Sequence, residues 1–200
     1  MTPDPAVPDY VAWSATPQGG FATLLAIENV PDEYELTEGV SRAEGFPPDA
    51  AFRMNPSFPR DVALADAVHS LGGDGVPVVS ARIREVIDGF APPETEYLPV
   101  TLFDHKGRVA SDVYVIANSF HVVDCLDLDQ MTVEWNPLDP DFMISCEGVV
   151  LDPSRLGDAP ALFRPKGLQT RVLVRRDVAD AIAASGATGV WCEELDEVTG

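Results

Sequence analysis

Asp124, Asp127 and Asp129, in the run Asp124-Cys-Leu-Asp127-Leu-Asp129, are the residues of this sequence best spaced to attract a divalent cation. A hard cation takes several oxygens at about 2.1–2.6 Å. On a continuing strand Asp127 and Asp129 share one face and Asp124 points to the other. The three converge only if the chain bends near Leu126. No glycine stands where an EF-hand loop needs one. The run therefore reads as strand-end carboxylates, with no metal expected. A Cys–His nucleophile needs its thiol beside an imidazole. His121 and Cys125 are four apart, which on a strand is about 13 Å at roughly 3.3 Å per residue. Pairing through the fold, as of Cys192 with His69, stays open. Ser80 lacks a G-x-S-x-G elbow and reads as a helix cap. Gly72-Gly-Asp-Gly75 has no Lys-Ser/Thr after it, so it reads as a helix stop and turn. No catalytic residue and no cofactor are expected, and the reading is of a protein that is not an enzyme. The alternatives are a carboxylate- or metal-dependent hydrolase and an acidic adaptor domain.

Charge narrows the partners. Lys and Arg number 13 against 33 Asp and Glu, a net charge of -20 over 200 residues. Phosphate backbones and anionic membrane surfaces demand a basic footprint, so neither nucleic acid nor membrane is expected as a partner. A basic protein is favoured, because opposite fields steer encounter. Hydrophobic residues make up 46%, which is globular and not disordered composition. A chain of this length buries roughly 70% of its unfolded surface and needs no staple. No apolar run approaches the ~20 residues of a membrane helix, and the N-terminus has neither the basic nor the apolar region of a secretory signal. Cys125, Cys146 and Cys192 are odd in number and widely spread, as in a reducing compartment. A cytoplasmic location is expected.

These residues must be positioned by strands and helices. Residues 1–9 hold three prolines and read as a loose arm. Tyr10 to Ser14 and Phe21 to Glu28 read as strands, joined by the turn-rich Ala15 to Gly20 linker. Prolines at 47, 48, 56 and 59 make the following stretch irregular. Leu64, Ala67, Val68 and Leu71 repeat at helical spacing after Pro59-Arg-Asp, predicting a first helix that ends at Gly72. Ser80 with Ile83, Val86, Ile87 and Phe90 predicts a second, ending near Gly89. Tyr97 to Phe103, Asp112 to Ala117 and Phe120 to Leu126 predict a three-stranded meander turning at Asp104-His-Lys-Gly107 and Asn118-Ser119. Short strands are expected at Gly148 to Leu151, Ala161 to Phe163 and Arg171 to Val174. A third helix spans Asp177 to Ser185 and stops at Gly186, and Gly189 to Cys192 is a last strand. Without regular βαβ alternation the fold class is α+β: a mostly antiparallel sheet with three helices packed on it. Residues 1–58 read as an arm and strand/loop region, a small lobe at most, and residues 59–200 as the α+β core.

The order of segments resembles a family. Val78-Val-Ser-Ala-Arg-Ile-Arg-Glu-Val-Ile-Asp88 is followed by Glu96-Tyr-Leu-Pro-Val-Thr-Leu-Phe-Asp104, Tyr114-Val-Ile-Ala-Asn118 and Val122-Val-Asp-Cys-Leu-Asp127. Then come Ala161-Leu-Phe-Arg164, Arg171-Val-Leu-Val174 and Ala187-Thr-Gly-Val-Trp191. Over roughly residues 60–195 this is similar to the immunity protein 11 family of bacterial polymorphic toxin systems. The resemblance implies a cytoplasmic protein that neutralises a cognate toxin by stoichiometric binding, and it brings no catalytic residues. A partner of that kind, such as a basic nuclease domain, would meet exposed carboxylates and a few buried aromatic anchors. Tyr34 with Glu35, and Trp191 with Glu193 and Glu194, are the candidate partner-binding residues.

Overall fold

The computed structural model describes residues 9–15, 19–73, 75–138, 140, 142–158 and 160–199. The proline-rich arm lies outside them up to residue 8, as do residues 16–18 of the linker and Asp74. In chain order the elements are β1 (Tyr10–Ser14), β2 (Ala51–Arg53), β3 (Ala67–Val68), β4 (Val78–Val79), α1 (Ala81–Gly89), β5 (Thr95–Phe103) and β6 (Val109–Ser119). They continue with β7 (Val122–Val123), β8 (Thr132–Trp135), β9 (Met143–Glu147), β10 (Leu162–Pro165), β11 (Leu173–Arg175), α2 (Arg176–Ala184) and β12 (Trp191–Glu194). Short 3-10 helices form at Glu33–Thr37 and Pro153–Arg155.

One sheet has the order β12-β1-β11-β10-β7, the second β2-β5-β6-β4-β3, and β8 pairs with β9. Pairing is antiparallel except for β10 with β7 and β2 with β5. The fold is thus α+β and mostly antiparallel, with two α-helices among the described residues rather than three.

Strand alternation distributes side chains between cores. In β1, Val11 and Trp13 enter a cluster with Ile83 and Ile87 of α1 and Val178 and Ile182 of α2, while Tyr10 and Ala12 enter another with Phe163 and Leu173. In β6, Val115 and Ala117 join the helix cluster, and Tyr114 and Ile116 pack with Leu24, Leu36, Phe52 and Leu98. A strand buried on both faces needs apolar residues at consecutive positions, which is why Tyr10-Val-Ala-Trp13 and Tyr114-Val-Ile-Ala117 lack the usual polar alternation. The helices bury only one stripe each. Ile83, Ile87, Val178 and Ile182 are at most 1% exposed, and each such burial stabilises by roughly 1.5–3 kcal/mol.

The segment expected as a first helix is extended. Its backbone groups bond to distant chain: Ala63 O accepts from Ala22 N at 2.8 Å, His69 O from Leu24 N at 2.8 Å, and Ala67 N donates to Thr188 O at 2.9 Å. Those pairings override the local helical spacing, and leave Leu71 58% exposed. Phe21 to Glu28 forms isolated bridges at Phe21, Leu24 and Glu28 instead of a strand. The third strand of the meander is also displaced. Past Ser119 the chain crosses to the other sheet, where only Val122 and Val123 pair, in parallel with β10. Asn118 and Ser119, expected as a turn, are the fully buried end of β6. Gly148 to Leu151, all among the described residues, form no strand; Leu151 makes only an isolated bridge to Leu126, and the neighbouring strand β9 ends at Glu147.

Ser80 occupies the N-cap of α1 by backbone, but its hydroxyl caps nothing; it donates to Asp66 Oδ1 at 2.7 Å. Asp66 Oδ2 accepts from the Thr188 amide and hydroxyl, each at 3.0 Å, and Arg82 approaches Oδ1 to 3.7 Å. This carboxylate joins the approach to β3, the start of α1 and the approach to β12. Burial alone would raise the Asp66 pKa, but the Ser80 and Thr188 donors and Arg82 outweigh it and hold the carboxyl below its ordinary value. A carboxyl with a depressed folded pKa contributes stability above its unfolded value of about 3.9 and loses it as pH falls through the folded value. Urea midpoints followed from neutral pH into acid should therefore fall more steeply for the wild type than for Asp66→Asn. Parallel curves would refute this role.

Candidate functional site

Between the 3-10 helix Glu33–Thr37 and residue 43 the chain is irregular, yet it is held at several points by side chains from both sheets. Arg164, on β10, is fully buried. Its Nε donates to Ser119 O at 2.6 Å, Nη1 to Gln169 O at 2.6 Å, and Nη2 to Leu36 O and Gly75 O at 2.9 Å each. Asn118 Oδ1 lies 3.4 Å from Nη2. No carboxylate is among its partners within the described residues. Burial lowers the guanidinium pKa to about 10, so it stays charged at neutral pH.

Asn118 extends the network. Its Nδ2 donates to Val40 O at 3.0 Å and to Glu96 Oε1 at 2.8 Å. Glu96 also accepts from Arg42 N at 2.6 Å, Ser41 Oγ at 2.7 Å and Ala43 N at 3.2 Å. The backbone has no sheet or helix partner over 40–43, so these side chains satisfy it instead. Two glycines permit the close approach. A Cβ on Gly39, whose φ is +71°, would sit 2.4 Å from a Val122 methyl. One on Gly75 would sit 2.4 Å from Thr170 O.

The loop so pinned presents Tyr34, which is 57% exposed. Tyr34 lines a hollow of about 170 Å³ whose floor is Leu36, Phe52 and Val76. Exposed Asp32, Glu33, Glu38 and Glu44 have no cation within ion-pair distance among the described residues, whereas Glu35 pairs with Arg42.

Trp191, 54% exposed, lies on the edge strand β12 opposite Ser14, and Glu193 opposite Ala12. Glu194 turns to the other face and takes two bonds from Arg176, at 2.8 and 2.6 Å, while Arg176 also binds Asp9 at 2.7 Å. The Arg176 guanidinium holds the Glu194 carboxyl below its ordinary value. Tyr34 and Glu35 thus sit on one element and Trp191, Glu193 and Glu194 on another.

Two of the three carboxylates weighed as cation ligands have protein partners. Asp124 pairs with Arg155 and Lys166, and Asp127 accepts from Gln130. Among the described residues no three His, Cys, Asp or Glu side chains are grouped as a metal site would need. Burial, then Asp124, pushes the Cys125 thiol up to about 12, and burial pushes Cys192 up to about 11. Thiols so shifted hold little thiolate at neutral pH. His69 Nδ1 is bonded to Ala15 O. A groove of about 640 Å³ runs past His121, Asp124, Arg155 and Arg175. Arg155 pairs with Asp152 and Arg175 with Asp177, His121 is bonded to Glu94, and Asp158 also lines the groove. It is larger than the hollow beside Tyr34, but both of its arginines are already engaged by carboxylates.

The segments that carry the family resemblance meet in one place, since Glu96, Asn118 and Arg164 belong to three of them and form one network. The model of the immunity protein family Imm11 matches residues 7–197. The chain belongs to the Imm11 immunity protein family. No curated protein matches it. The family match reaches the N-terminal region that the short motifs left uncovered, including the loop that carries Tyr34. For this Imm11 protein, sequence reasoning assigned no role to Glu96, Asn118 or Arg164. One cue was available: a charged residue inside the apolar run Ala161-Leu-Phe-Arg164 is rarely buried without a set of partners.

Proposed function

We propose that this Imm11 protein is a cytoplasmic, non-enzymatic immunity protein that binds a cognate toxin and blocks it stoichiometrically. The family match over residues 7–197 carries the reading. The net charge of -20 supports a basic toxin and opposes nucleic acid or anionic lipid as partner. The ion pairs support it further, since Arg42, Arg53, Arg84, Arg108, Arg155 and Arg176 are each engaged by a carboxylate. The carboxylates in excess are then what an approaching protein meets. Three cysteines, odd in number and widely spread, fit the cytoplasm. No helix among the described residues is long and apolar enough to cross a membrane. In this reading the exposed residues of the stretch 1–58 supply contact surface, while its Val11, Trp13, Leu36 and Phe52 pack into cores shared with residues 59–200. Partner contact falls on Tyr34 with Glu35, or on Trp191 with Glu193 and Glu194.

Co-expression with the toxin domain encoded by the adjacent gene tests this. Growth is expected to be restored and the two proteins to co-purify as a complex that weakens with salt. Continued toxicity with no complex would overturn the reading.

A further inference from the structure

The hollow beside Tyr34 has a floor of core side chains and one charged lining residue, Glu33, which has no cation within ion-pair distance among the described residues. Leu36 and Phe52 are each 1% exposed, so the hollow opens onto the protein's own apolar interior. At about 170 Å³ it is below the range of about 300–1,000 Å³ usual for small-molecule sites, and suits a single side chain. Asp32, Glu33 and Glu38 are exposed on the same short element and its flanks. A second hollow, of about 430 Å³, abuts the first, sharing Thr37 and Gly72. It is lined by Met143, Ile144 and Leu168. Exposed Leu71 and Ile144 border this face.

The backbone beneath the surface is already fixed. Leu36 O is held by Arg164, Val40 O by Asn118, and the Arg42 and Ala43 amides by Glu96. A loop ordered before binding spares the association its ordering cost. Interface hot spots are enriched in tyrosine and sit in well-packed pockets, and Tyr34 beside the core-floored hollow offers both. The β12 surface offers less, because Glu194 is already engaged by Arg176.

We infer that this face is the toxin-docking surface. Its occupant is a basic segment of the toxin that seats one apolar or aromatic side chain against Tyr34, with Lys or Arg on either side reaching Asp32, Glu33 and Glu38. The inference rests on the toxin-binding reading above and deepens it. The core-floored hollow calls for the anchor, and the unpaired carboxylates set the sign of its flanks.

Titration calorimetry of the purified protein with the adjacent gene's toxin domain, at low and physiological salt, tests it. Tyr34→Ala should weaken binding about 100-fold, as loss of a hot-spot aromatic does. Ala26→Phe places a ring in the hollow from its exposed rim and should weaken binding comparably without disturbing the core. Glu33→Lys with Glu38→Lys should weaken binding at low salt and flatten its salt dependence. Val113→Ser, at an exposed position on β6, should bind as the wild type does. Circular dichroism and urea midpoints establish that the variants are folded. Wild-type binding with unchanged affinity in both Tyr34→Ala and Ala26→Phe would overturn this surface and leave the immunity reading standing. Absence of wild-type binding would overturn both.

Discussion

An Arg164→Met variant is expected to lose about 3 kcal/mol or more of stability, because removing this one donor group leaves several carbonyls unsatisfied at about 1–3 kcal/mol each. Methionine fills a similar volume but donates nothing. Ser119 O, Gln169 O, Leu36 O and Gly75 O would then lose their side-chain donor. Each buried carbonyl left bare costs about 1–3 kcal/mol, partly recovered by relaxation or water. Those carbonyls come from four separate stretches of chain, so the loss spreads beyond β10. Arg164→Lys should fare little better. An ammonium bonds from a single nitrogen, whereas the guanidinium reaches its acceptors from three. Urea denaturation of the three proteins is the measurement. A change below about 1 kcal/mol in Arg164→Met, the size of an ordinary hydrogen bond, would show that the carbonyls find other donors.

Glu96→Ala is expected to cost about 2–3 kcal/mol and to act locally, since charge-assisted bonds are about twice as strong as neutral ones. The Ser41 hydroxyl and the Arg42 and Ala43 amides would lose their acceptor, while Asn118 keeps Val40 O. Native-state hydrogen exchange separates this from global destabilisation. The Arg42 and Ala43 amides should exchange markedly faster relative to those of α1 and α2. If the exposed face above them docks a partner, Glu96→Ala also weakens binding although no partner atom touches Glu96. Unaltered protection at residues 42 and 43 would remove Glu96 from this positioning role.

The helices α1 and α2 were legible in sequence because each buries one stripe: Ile83 and Ile87, Val178 and Ile182, with glycine near or just past the end. The same spacing misled at Leu64, Ala67, Val68 and Leu71. There the bonds that decide the conformation come from Ala22, Leu24 and Thr188, as many as 121 positions away. The hairpin of β5 and β6 was legible because its turn is local and Asp104 Oδ1 accepts from Lys106 N at 2.8 Å. The pairing of the strand after it was not, because β7 pairs with β10, 42 residues on (Val122 with Arg164). Tyr34 and Glu35 stood out as an aromatic residue among acids. The hollow beside Tyr34 could not, since Phe52, Gly72 and Val76 reach it only through folding.

The net charge of -20, the α+β class, the two one-sided helices and the ordered segments of the immunity family could all be read before folding. All of these are properties of composition or of neighbours a few residues apart. Tertiary structure alone decided which strands pair, that Arg164 reaches Leu36 across 128 residues, and that Glu96, Asn118 and Arg164 form one network. The physical reason is that side-chain periodicity records which face is buried. Backbone hydrogen bonds and buried charges must instead be satisfied over the whole molecule at once, by whichever distant groups the packed fold brings within reach.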